Sequence, residues 1–196
     1  MDNRSFERFA GIAALLAGAC GVLYALAFVV LRDPSISAGF LLLGGFFTSA
    51  ALVAVYGRVR AQDAGFALWA LVLALFGAMG SAVHGGYDLS IALHPPSTLA
   101  VDLPNAVDPR GLMTFGFAGI ALFIFSWQIA RTGNMPRGLA RLGYLSALLM
   151  MVLYAGRLTI QEANSPVILI PALLEGFIVN PAWYIWLGLV FLRTKK

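Results

Sequence analysis

The stretch AGFALWALVLALFGAMGSAVHGG, residues 64–86, holds no Asp, Glu, Lys or Arg in 23 positions. A surface helix of a water-soluble protein shows a polar face at every turn, and this stretch has none. As a helix rising 1.5 Å per residue it reaches about 34 Å, enough to cross a hydrocarbon layer about 30 Å thick. Comparable apolar runs occur at roughly 9–31, 37–57, 111–130, 139–160 and 166–192. They predict an all-α integral membrane protein, a bundle of six transmembrane helices forming one domain over 1–196. The period-two alternation of a membrane β-barrel is absent.

Composition agrees. The chain is 60% apolar and 11% charged, against about half and a quarter in soluble proteins. Its 13 basic residues give a formal charge of +4 but lie in short groups between apolar runs. They form no stripe that would track nucleic acid. Cys20 is the only cysteine, so neither an intrachain disulfide nor a cysteine-rich metal site can form. Ala17-Gly18-Ala19-Cys20 resembles a lipoprotein cleavage box, but Ala17 stands where that box normally has Leu. The apolar run also continues to Leu31, beyond a signal-peptide core of about 7 to 15 residues, which predicts an uncleaved first helix.

Basic residues in short loops stay on the cytoplasmic side. With six spans, one side holds Arg4, Arg8, Arg58, Arg60, Arg131, Arg137, Arg141, Arg193, Lys195 and Lys196, and the other only Arg32, Arg110 and Arg157. This predicts both termini inside, N-in/C-in, in a plasma membrane of the bacterial cytoplasmic (inner) type. A long outer loop is expected from Tyr87 to Pro109, where His94-Pro95-Pro96, Pro104-Asn105 and Asp108-Pro109 favour turns. Small residues recur at helical spacing, as in Ala14/Gly18, Ala17/Gly21, Gly45/Ser49 and Ala78/Ala82, the pattern of close helix packing in membranes.

Ionisable groups inside a membrane are costly, so they are functional candidates. Glu175 is the clearest, the one acidic residue within a span. The run that holds it also carries Pro166, Pro171 and Asn180-Pro181, which predicts a kink or break near Asn180. His84 and Asp88, four apart, share a helix face, and Tyr154 and Arg157 lie near the outer end of the fifth run. The candidates for ligand binding or proton relay are thus Glu175, His84, Asp88, Arg157, Tyr154 and Asn180. A plain ion pair between Arg157 and Glu175 is the structural alternative.

No catalytic residue or resident metal is assigned. Bis-histidine haem would need His84 and His94, and His94 falls in the proline-rich loop. A zinc site on His84, Asp88 and Glu175 lacks a His-Glu-x-x-His signature. There is no Gly-x-Ser-x-Gly elbow, no phosphate loop and no dithiol. Lysine occurs only at 195 and 196, which excludes a retinal Schiff base. Trp69, Trp127, Trp183 and Trp186 read as interfacial anchors or packing residues. No cofactor is implied.

The leading expectation is a non-enzymatic multi-pass membrane protein. It either binds a small amphipathic or anionic ligand in an outer-leaflet pocket or serves as accessory subunit of a membrane assembly. The rival is a small proton-coupled transporter or channel using Glu175 and His84, and the third is a membrane-embedded enzyme acting on a lipid or quinone. Expected partners are the lipid bilayer and a homo-oligomer or membrane-complex partner, not nucleic acid.

Overall fold

A computed structural model describes residues 4–95, 109–160 and 165–193. Those residues are helical throughout, with short turns between helices: α1 (Arg4–Ala25), α2 (Pro34–Val59), α3 (Ala64–Leu93), α4 (Pro109–Thr132), α5 (Arg137–Thr159), α6 (Pro166–Leu174) and α7 (Asn180–Arg193). Two π-helical turns interrupt them. Leu26–Leu31 prolongs α1, and Glu175–Val179 joins α6 to α7 in one continuous span. Among the described residues six helices are therefore long and apolar enough to cross a membrane.

Local chemistry explains the turns. The chain reverses at Arg32, which adopts the left-handed φ of 53°, and the Asp33 carboxylate accepts the Ile36 amide at 2.9 Å to cap α2. Asp63 caps α3 in the same way, accepting from Gly65 and Phe66, as N-cap acids do. Gly133, at φ +66°, turns the chain before Pro136.

α3 runs seven residues past the expected start of the long loop, so Tyr87 to Leu93 are helix and His94 is the C-cap, its amide donating to Ser90 at 2.9 Å. The Gly85-Gly86 pair is not a stop signal. A Cβ on Gly85 would fall 2.4 Å from the Leu42 nitrogen of α2, so glycine is needed there for close approach. The stop is Pro95-Pro96, which cannot continue a helix. The rest of that loop, 96–108, lies outside the described residues.

Each span packs on the next and α7 packs back on α1, closing a ring in chain order. The glycines sit at helix crossings. Gly45 approaches Ala78 and Ala82, Gly18 approaches Pro181 and Ile185, and Gly188 approaches the Gly11 carbonyl. The expected small-residue faces therefore meet partners inside the chain. α1 begins beside the end of α7, and Arg58 at the end of α2 makes a bidentate pair with Glu7, at 2.7 and 2.9 Å. Both described ends of the chain thus share one end of the bundle, called terminal below; the other end is distal.

The bulky core fills the terminal half. Val55, Val59, Phe125, Ile129, Leu139, Trp183 and Leu187 are fully buried there, whereas among the described residues of the distal half only Leu153 and Ile168 are comparably buried large apolar side chains. Trp183 also donates to the Leu139 carbonyl at 3.2 Å, and Arg131 stacks on Trp127 at 4.7 Å. Both tryptophans belong to the packing of this half.

Candidate functional site

Pro181 has no N–H, so the helix through Glu175 cannot keep an unbroken α ladder. The chain inserts a π turn at Glu175–Val179, whose first carbonyl accepts from the Asn180 amide. Such turns bulge a helix and are frequent at functional sites. This is the break the sequence predicts near Asn180, placed in the five residues before it, with Glu175 as its first residue.

The Glu175 side chain is turned into the bundle and only 4% exposed. Nine residues of α6 precede it, about 13 Å of helix from the distal end, close to mid-depth. Ser146 of α5, fully buried, donates its hydroxyl to Glu175 Oε1. Oε2 has no partner in full hydrogen-bond geometry. The Asn180 side chain is a second hydrogen-bonding neighbour of the carboxyl, in a looser geometry than Ser146. On the terminal side the buried Tyr184 lies within the field of Glu175 and against Thr48 of α2, with its ring edge-on to Trp183 at 4.9 Å.

Arg157 is not the partner of Glu175: no ion pair joins them. The reason is their positions along the helices. Arg157 lies two residues before the distal end of α5, while Glu175 is near mid-depth. Arg157, half-buried, and Asp88 of α3 both lie within electrostatic reach of Tyr24 of α1. His84 Nε2 and Asp88 Oδ2 are 3.1 Å apart on one face of α3, as their spacing predicts. Tyr154 points elsewhere, its ring covering Gly116 of α4. Ser81 and Thr114, 3.4 Å apart, add hydroxyls between α3 and α4.

The six candidates therefore divide. Glu175 and Asn180 form a mid-depth centre with Ser146, Tyr184 and Thr48. His84, Asp88 and Arg157 form a distal centre with Tyr24. Among the described residues no three His, Cys, Asp or Glu side chains gather as metal ligands, so His84, Asp88 and Glu175 do not share a metal position. Sequence reasoning missed Ser146 and Tyr24. Ser146 carried one faint signal, as the single hydroxyl in the apolar run from Leu145 to Leu153.

The distal half also differs in its seams. α6 packs on α5, where Ile168 meets Gly156, and makes no substantial packing with α1 or the Leu26–Leu31 turn, which leans on α2. The two walls meet again at Gly176, where an added Cβ would lie 3.6 Å from Ala25. Glu175 is thus the residue beside the point where the seam closes.

No protein-family model, curated protein or solved structure matches this chain.

Proposed function

We propose that this is a non-enzymatic membrane protein that binds a small amphipathic molecule in the distal half of its bundle, with Glu175 as the polar anchor. One observation carries the reading: a buried carboxyl near mid-depth, on a π turn, has one oxygen held by Ser146, the other without a partner in full hydrogen-bond geometry, and no cation paired with it among the described residues. Intramembrane acids of this kind ordinarily meet a counter-charge or serve a ligand or proton path.

The asymmetry of packing supports binding over conduction. Most of the fully buried bulky side chains close the terminal half, and Leu153 and Ile168 are their few counterparts in the distal half among the described residues. A carboxyl without a cation disfavours an anionic ligand at this depth, so of the two ligand types expected from sequence the amphipathic one is retained. With the terminal end cytoplasmic, as the basic residues argue, the site belongs to the outer leaflet.

Purification with native lipids, followed by mass spectrometry of what accompanies the protein, tests this. A small amphipathic molecule is expected with the wild type and depleted about tenfold with Glu175→Gln, the loss of one charge-assisted hydrogen bond. Recovery of the protein alone, or with only a protein partner, overturns the reading. Reporters fused to the termini and to Pro96 are expected inside and outside, respectively; the reverse removes the outer-leaflet placement.

A further inference from the structure

We infer, building on the binding site just proposed, that its ligand is a lipophilic amine that enters sideways from the bilayer, through the cleft between α1 with its Leu26–Leu31 turn and α6. Two properties of one seam argue the route. In the terminal half α1 and α7 are sealed at backbone contact, since a Cβ on Gly188 would fall 2.7 Å from the Gly11 carbonyl. Past Gly176 the walls part, because the π turn and Pro171 redirect α6 onto α5. Leu26 and Phe28 on one side and Leu173 and Leu174 on the other are apolar and exposed, and the buried acid Glu175 follows Leu174 in the chain. An apolar funnel leading to a single acid suits a molecule with a hydrocarbon body and one basic end.

The chemistry of that end follows from what Glu175 lacks. Its Oε1 is taken by Ser146, and its Oε2 has no partner in full hydrogen-bond geometry, with the Asn180 side chain as its neighbour. A carboxylate ligand would bring a negative charge to a site where no described cation pairs with it. A permanent cation would have to shed its hydration to arrive through hydrocarbon, at a cost of many kcal/mol. An alkylamine, an ammonium in neutral water, leaves its proton in the water, enters the hydrocarbon uncharged and then meets neither obstacle. On arrival its nitrogen lone pair takes the proton of the Glu175 carboxyl: the Oε2–H bond breaks, an N–H bond forms, and an ammonium–carboxylate pair results with no net change of charge in the site. Such a charge-assisted bond is about twice as strong as a neutral one. The stacked rings of Tyr24 in α1 and Phe28 in the Leu26–Leu31 turn, 5.7 Å apart, offer aromatic surface near the same wall, to which an ammonium is attracted.

The test uses the full chain in nanodiscs and a long-chain alkylamine carrying a photoreactive diazirine. Competitors are the unlabelled amine, its quaternary trimethylammonium analogue, the corresponding alcohol and carboxylate, and a short water-soluble amine. Labelled peptides are expected from residues 26–31 and 166–174. The alkylamine should compete at least about tenfold better than every other compound. Glu175→Gln is expected to abolish that labelling. Gly176→Leu, which fills the apex and leaves the acid intact, is expected to reduce it comparably; this second variant covers the case in which the first fails to fold.

Four results overturn the inference. Labelling spread evenly over all lipid-facing helices and unaffected by either variant means an ordinary lipid annulus. Equal competition by the alcohol or the quaternary analogue removes the amine. Equal competition by the short amine removes the sideways route. Cross-links between two copies at these positions give the cleft to a second chain. In the second and third cases Glu175-dependent binding persists, so the proposed function stands while this inference falls.

Discussion

Between α1 and α7 the backbones touch; between the same helix and α6 they part. The upper and lower halves of this seam share one bilayer and similar residues, so hydrophobicity does not separate them. Gly11, Gly18 and Gly188 remove side chains where helices must meet, and dispersion between close-packed surfaces is what holds helices together in lipid. Beyond Glu175, Pro171 and the π turn set the direction of the chain instead. The comparison teaches that in this protein backbone irregularity, more than side-chain polarity, decides where the ring opens.

The contrast makes the terminal half costly to alter and the distal seam cheap. Trp183→Ala removes a fully buried ring and the bond to the Leu139 carbonyl, and should destabilise by about 3–5 kcal/mol, read as the unfolding transition in detergent; a loss below about 1 kcal/mol would deny that half its role as core. Next, Gly188→Leu should cost at least about 1–3 kcal/mol by overpacking against Gly11 and Leu15, whereas Leu173→Ala on the open side should stay within about 0.5 kcal/mol. Equal costs would mean that the seam is closed along its whole length.

Removing the Arg58 side chain should lose about 1 kcal/mol, because its bidentate pair with Glu7 is only partly exposed, at 14% and 25%. The Glu7→Ala variant should lose a similar amount and the double variant no more than either, a cycle that isolates the pair. The smallest stability effect belongs to Glu175→Gln. It keeps an oxygen for Ser146 and should change stability by less than about 0.5 kcal/mol while the co-purifying molecule is lost. A large destabilisation would make Glu175 a structural hydrogen-bonding residue and remove the ligand from the argument.

The spans were legible because apolarity and length are local properties, and five of the six extents differ from the reading by only a few residues. The third run misled at Gly85-Gly86, since a glycine pair reads alike whether it ends a helix or admits a neighbour. The proline-driven break was legible too. Its placement at Glu175 was not, because the π register depends on which carbonyls the neighbouring turns leave without donors.

The site was half legible. His84 with Asp88 follows from a spacing of four on one helix. Arg157 with Glu175 was a plausible pair by charge and failed by depth, and Ser146 became the partner because α5 presents it at the level of the π turn.

By itself, then, the sequence determined that this chain makes six membrane-length helices, with its basic residues gathered at one end and one acid inside a span, because these depend only on the order of side chains along a helix. The tertiary structure alone decided that Glu175 meets a hydroxyl instead of a cation and that the ring parts beside it. Rotation, depth and kink direction are set by how neighbouring helices pack, and no single segment encodes them.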